Sequence, residues 1–261
     1  MRTKVSVPFA GANDTGVFTP PIGSLQTVGS SKLLNILFVV DGSSSMEGAR
    51  IASVNTALSE LYFDLTDLKR DRQLDVRVAV MSFSSSVKWE LGLTPIDQAV
   101  FGEVRTRPGL TMYSAVFSEL DKVLRRDRFM AYDGDVAAPV IIFMTDGKPN
   151  DNYEPALKEL QENVWFRSAL RSAILMGDAI GDEEARRAVR GFVKDGDRSI
   201  VAVQDSEQII SRIVTATVKT IRGIPQAAAE QDDAPSPAPD AFAYPAGTDA
   251  PEFPGGSVLS L

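Results

Sequence analysis

Oxygen-bearing side chains collect in three short clusters along this 261-residue chain: Asp41-Gly42-Ser43-Ser44-Ser45, Pro108-Gly109-Leu110-Thr111 and Thr145-Asp146-Gly147. Between them, Asp41, Ser43, Ser45, Thr111 and Asp146 offer two carboxylates and three hydroxyls. Hard oxygen donors of this kind suit magnesium, with manganese or calcium as alternatives. Because hydroxyls are neutral, they hold a cation without cancelling its charge, and the ion keeps its attraction for a further anion. The chain contains neither Cys nor His. Disulfides, thiolate nucleophiles, Cys-based zinc sites and a Ser-His-Asp triad are thereby excluded, and any metal must be held by oxygen. Each cluster also has a plainer reading, in which Asp, Ser or Thr accepts hydrogen bonds from the free N–H groups that open a helix.

These clusters lie where the hydrophobic pattern changes period. Asn35 to Val40 (NILFVV) is a short, continuously apolar run, as expected of a strand buried on both faces, and it stops at Asp41-Gly42. Ile51, Val54, Leu58, Leu61 and Leu65 then follow three- and four-residue spacing, which predicts a helix from Met46 to about Leu65. Leu74 to Phe83 reads as a central strand, and Val87 to Leu91 as a short edge strand forming a hairpin with it. Met112 to about Arg126 carries Val116, Leu120, Val123 and Leu124 on one helical face. The strand-turn-helix unit then recurs as strand Val140 to Met144, turn Asp146-Gly147 and helix Tyr153 to about Val164. Ser168 to Met176 and Ser199 to Val203 read as further strands, with helices near Asp182 to Val193 and Ser206 to Ile221. Alternation of this kind predicts an α/β fold, a doubly wound, mostly parallel six-stranded sheet with one short antiparallel edge strand and helices on both faces. Ligands of such sheets bind beyond the carboxyl ends of the strands, where the three clusters fall.

Outside this core the composition shifts. Residues 1–31, rich in Gly, Ser, Thr and Pro, read as an irregular arm, residues 32–222 as the folded domain, and residues 223–261 as a disordered acidic tail rich in Pro and Ala. The net charge is −8, and the tail holds six acids and no Lys or Arg, leaving −2 on the rest. That distribution argues against nucleic-acid binding. No apolar run is long enough to span a membrane, and the opening residues lack the apolar core of a secretory signal, so a cytoplasmic location is expected. Thr19, in Phe18-Thr19-Pro20-Pro21, is a phosphorylatable position but reads more simply as a turn. Phe242, Tyr244 and Phe253 offer the tail aromatic anchors, and Asp240 or Asp249 a carboxylate that could serve as the metal's further anion. Lys148 and Asn150 to Asp151, beside the third cluster, read as a solvated loop.

Asp-x-Ser-x-Ser, a distant Thr and a distant Asp together resemble the metal-ion-dependent adhesion site of von Willebrand factor A domains, and every element stands in order here. The resemblance covers roughly residues 33–222. It implies that the hydroxyls of Ser43, Ser45 and Thr111 bind a divalent ion directly, while Asp41 and Asp146 bind directly or through water and orient those hydroxyls. It further implies an open position that a protein partner's Asp or Glu completes, so that the output is binding rather than turnover. Met81 to Ser85 (MSFSS), the Gly109-Leu110-Thr111 step and Met144 to Asp151 (MTDGKPND) bring it closest to intracellular bacterial proteins of the tellurium-resistance type. Those commonly accompany a Ser/Thr kinase and a magnesium-dependent protein phosphatase in stress-linked phosphosignalling. One departure is Leu110, which stands where Gly often precedes the motif Thr.

Two other functions compete. A magnesium-dependent phosphatase or hydrolase using Asp41 or Ser43 would lack the second aspartate of an Asp-x-Asp nucleophile loop and a His to activate Ser43. A subunit of a chelatase-like machine would need its ATPase on a separate chain, because no Gly-x-x-x-x-Gly-Lys-Ser/Thr loop is present.

Overall fold

A computed structural model of the chain describes residues 31–222. The arm up to residue 30, with Thr19, and the tail from residue 223, with its aromatic and acidic positions, lie outside the described residues. Six strands form one sheet: β1 (Lys32–Asp41), β2 (Leu74–Phe83), β3 (Val87–Pro95), β4 (Val140–Thr145), β5 (Leu170–Met176) and β6 (Ile200–Val203). Their spatial order is β3-β2-β1-β4-β5-β6, with β3 antiparallel to β2 and every other pairing parallel. The expected doubly wound architecture is therefore the one formed.

Period-two alternation decides what each strand contributes to either face. Leu34, Ile36, Phe38 and Val40 of β1, with Ile142 and Met144 of β4, pack under helices α1 (Ala49–Arg72) and α6 (Ser206–Arg222). Leu37 and Val39, with Ile141 and Phe143, face the other layer, made by α2 (Tyr113–Val123), α3 (Glu154–Glu162), α4 (Val164–Ser168) and α5 (Glu183–Phe192). Phe83, Tyr113, Phe117, Phe143 and Phe192 stack there edge-to-face and offset, with ring centroids 5.1–5.9 Å apart. Each fully buried Leu, Ile, Val or Phe contributes about 1.5–3 kcal/mol through its removal from water.

Several boundaries differ from the expectation for local reasons. Helix α1 runs to Arg72 rather than Leu65 and stops at Gln73 in the left-handed region (φ 51°), whose N–H returns to the Lys69 carbonyl. Lys69, Arg70 and Arg72 in its last turn complement the negative end of the helix dipole. The expected strand from Ser168 begins only at Leu170, because Asn163 breaks the preceding helix and opens α4, its Oδ1 accepting from the Trp165 and Phe166 N–H groups. β3 extends to Pro95. Among the described residues no helix is long and apolar enough to cross a membrane.

Candidate metal site

β1 and β4 are neighbours, yet their following helices lie on opposite faces, so the crevice beyond their carboxyl ends is the switch point of the sheet. Asp41 ends β1 and Thr145 ends β4. Asp41 is fully buried, with Oδ1 accepting from the Ser43 N–H at 2.8 Å and Oδ2 accepting from Thr145 Oγ1 at 2.6 Å. Burial pushes its carboxyl up to about 6; hydrogen bonds from Thr145 and Ser43 oppose that rise, and the nearby Asp146 charge adds to it. Thr145 Oγ1 also accepts from the Gly147 N–H at 3.2 Å, and the Tyr113 hydroxyl reaches the Gly147 carbonyl at 2.9 Å.

The turn after β1 carries the serines. Ser43 stands at the start of a short 3-10 turn, Ser44–Met46, and its side chain makes no capping hydrogen bond. Its Oγ lies 3.0 Å from Ser45 Oγ, and Ser45 Oγ donates to Asp146 Oδ1 at 2.7 Å. The other oxygen of Asp146 accepts from Arg50 Nη1 at 2.7 Å, and the same nitrogen donates to the Ser45 carbonyl at 3.0 Å. The first and third clusters are thus joined through side chains, as their shared place at the carboxyl end of the sheet led one to expect.

Thr111 arrives on an irregular segment that is anchored along its length. Asn55 exchanges two 2.9 Å hydrogen bonds with the Val104 backbone, the Arg107 N–H donates to the Gly42 carbonyl at 2.8 Å, and the Met112 N–H donates to the Ser84 carbonyl at 3.0 Å. Ser85 Oγ accepts from the Leu110 N–H at 2.9 Å, and Gly109 beside it has φ 144°, where an added Cβ would sit 2.4 Å from that oxygen. Leu110 is solvent-exposed while Thr111 is buried, so the departure at Leu110 leaves Thr111 seated in the crevice. Met112, not Thr111, is the N-cap residue of α2.

Asn150 and Asp151 lie in a loop, with Asn150 exposed as the sequence reading has it, and beyond that reading both also act as clamps. Asn150 brackets Thr111, its Oδ1 accepting from the Thr111 N–H at 2.8 Å and its own N–H donating to the Thr111 carbonyl at 2.9 Å. Asp151 accepts from the Tyr113 and Ser114 N–H groups at 2.9 and 2.8 Å, capping α2 from another loop. Lys148 is exposed, as expected. Sequence reasoning also passed over Thr145 as an orienting residue and Arg50 altogether. Thr145 stood inside a quoted cluster; Arg50 gave no local signal.

The three loops meet at Gly147. A Cβ there would lie 3.1 Å from Thr111 Oγ1 and 3.7 Å from Asp41 Oδ2, so glycine leaves open the space between these oxygens. Among the described residues the Thr111 hydroxyl has no protein partner, and although the residue is only 5% exposed this oxygen is open to the crevice rather than sealed. A partnerless hydroxyl, two further hydroxyls and two carboxylates around one small space fit a hard divalent cation. The described residues hold no group of three or more acidic, His or Cys side chains able to take a metal, so such an ion would depend on the hydroxyls.

Comparison with known proteins places the fold. Chicken (Gallus gallus) matrilin-3 is 28% identical over 138 residues, which is 51% of this chain and 30% of matrilin-3. Among solved structures, the pilus adhesin SpaC of Lactobacillus rhamnosus GG in its open conformation aligns with a TM-score of 0.56 at 15% identity, covering 75% of this chain and 31% of that one. A von Willebrand factor type A protein from Catenulispora acidiphila aligns at 0.50 and 14% identity, covering 73% and 43%. An ArnB paralogue from Sulfolobus acidocaldarius gives 0.50 at 16%, covering 71% and 45%. The chain therefore spans less than half the length of each of these proteins. The sequence model of the von Willebrand factor type A domain matches residues 35–215, from the first strand into the last helix, and this chain belongs to that family.

Proposed function

We propose that the chain is a metal-dependent protein-interaction module. Asp41, Ser43, Ser45, Thr111 and Asp146 would hold the ion, magnesium by preference and manganese or calcium in its place. When bound, the ion supplies an electrophilic centre that a partner's Asp or Glu carboxylate completes. The chain's own part is to orient the donors. Thr145 and the Ser43 N–H fix Asp41, Asp146 fixes Ser45, and Asn150 fixes Thr111.

The single observation that carries this reading is the placing of the Thr111 hydroxyl, without a protein partner among the described residues, beside Gly147 and Asp41 at the switch point of the sheet. Asp41 is no exposed nucleophile, since both its oxygens are engaged beneath the site, and a chain without His offers no near-neutral base of the usual kind. These points favour binding over hydrolysis. The names of two similar proteins, a pilus adhesin and a proximal thread matrix protein of the mussel byssus, agree with an interaction role. The likeness of MSFSS and MTDGKPND to the tellurium-resistance type extends the proposal to a cytoplasmic bacterial scaffold beside a Ser/Thr kinase and a magnesium-dependent phosphatase.

Magnesium titration of wild type and Thr111→Val tests the site. Magnesium at a hundred times its Kd raises wild-type stability by about 2.7 kcal/mol and leaves Thr111→Val unchanged. Without metal the two unfold alike, because the hydroxyl makes no internal hydrogen bond. Equal magnesium response in both proteins rejects the site. A pull-down from native lysate with magnesium or EDTA, comparing wild type with a Thr111→Ala and Asp146→Ala double variant, tests the output. Partner capture insensitive to both EDTA and mutation removes the metal from the function.

A further inference from the structure

We infer that Arg50 is a resident counter-cation of the hydroxyl cluster: it shares Asp146 with the divalent ion, loosens that ion's hold and keeps it attractive to a carboxylate. This rests on the metal reading above and adds a residue that no motif contains.

Arg50 is the second residue of α1, where a positive charge opposes the helix dipole. It is held there by contacts from three parts of the fold. Its guanidinium donates to Asp146 Oδ2 at 2.7 Å and to the Ser45 carbonyl at 3.0 Å. The Asp146 side chain is fully buried, whereas that of Arg50 is 36% exposed, so the pair is an inward carboxylate closed by a cation at the rim. The third contact is at the end of β5. Gly177 has φ 53°, and an added Cβ would fall 2.6 Å from Arg50 Nη2 and 2.8 Å from Cζ, so the bare backbone makes room for the guanidinium.

Charge explains what this placement does. Asp41 and Asp146 bring two negative charges to the site and Arg50 returns one positive charge. Without the ion, Arg50 neutralises Asp146 and relieves its repulsion of Asp41. With the ion, the site and ion together retain a single positive charge instead of none. The cost is weaker affinity for the ion, and the gain is stronger attraction for an incoming carboxylate. Removing Arg50 should therefore move the two affinities in opposite directions. A residue that merely supported the local structure would weaken both on removal.

The test uses the full chain as wild type, Arg50→Gln and Arg50→Lys. Magnesium affinity is read by calorimetry, and carboxylate affinity by broadening of the acetate methyl NMR line on the manganese-loaded protein. Arg50→Gln is expected to bind magnesium about tenfold tighter at low ionic strength, as loss of one charge facing a doubly charged ion predicts in a water-like dielectric. The gain shrinks in high salt. The same variant is expected to broaden the acetate line less than wild type, whereas Arg50→Lys, which keeps the charge, stays near wild type in both readouts. Equal or weaker magnesium binding by Arg50→Gln overturns the inference, as does an Arg50→Lys that behaves like Arg50→Gln. Wild type that binds no divalent ion removes the metal reading itself and this inference with it, a result distinct from either of those.

Discussion

Thr145 Oγ1 donates to Asp41 Oδ2 at 2.6 Å, tying the carboxyl ends of the two central strands across the switch point of the sheet. The bond links residues 104 apart in sequence and holds a buried carboxylate that has few other means of support. Thr145→Val keeps the shape and removes the donor. Leaving a buried carboxylate oxygen without its partner costs about 1–3 kcal/mol. Urea unfolding should show that loss in the metal-free protein; a change below about 0.5 kcal/mol would mean that Asp41 is held by other contacts.

The ionisation of Asp41 gives the metal-free protein a pH dependence of known sign. Burial raises the carboxyl from 3.8 to about 6, so the folded state binds this proton more tightly than the unfolded chain does. The stabilisation from this group is complete below the unfolded value and is lost as pH rises through the folded one. At about 1.4 kcal/mol for each tenfold change in proton affinity, the ionised group costs the metal-free fold on the order of 2–3 kcal/mol near neutral pH. In EDTA, Asp41→Asn should be more stable than wild type at neutral pH, with the gap closing towards about pH 4.5. Parallel stability profiles of the two proteins across that range would assign the dependence to other groups. The native carboxylate thus opposes the stability of the empty fold, as expected of a residue kept for a ligand.

Asp151 is expected to matter more than an exposed loop acid would. It accepts from the Tyr113 and Ser114 N–H groups, two of the free donors at the start of α2. Asp151→Ala should cost about 1–2 kcal/mol, in the range of a lost helix cap. Because α2 begins directly after Thr111 and Met112, the variant should also speed amide exchange at the start of α2 and weaken magnesium binding. Unchanged exchange there would show that Asn150 alone holds the segment.

Much of this was legible before any coordinates. Continuous apolar runs ending in Asp-Gly located β1 and β4, because a parallel strand buried on both faces has no polar period to obscure it. β2 was legible to the residue, bounded by Phe83 and the serines after it. The helix α4 was not, since VWFRS carries no period of its own and only Asn163 marks its start. The three hydroxyls and two acids of the site came from a motif, whereas the residues that hold them did not. Across the fold, Thr145, Asn150 and Asp151 act on partners 32–104 positions away, and Arg50 acts on an acid 96 positions away. Periodicity speaks only of neighbours along one element. Second-layer contacts of this kind arise from which loops the topology brings together.

The convergence of residues 41–45, Thr111 and Asp146 has a consequence for the history of each molecule. Ser45 meets Asp146 across 101 positions, and nothing shorter than the assembled β1–β4 pair contains both. While the chain is being made, the first cluster emerges well before the third and carries no site of its own. Recognition through the metal would switch on only when the sheet has closed, so a partner that reads this crevice samples finished molecules and ignores nascent or cleaved ones. The site would then act as a certificate of folding, issued by the two strands at the centre of the sheet.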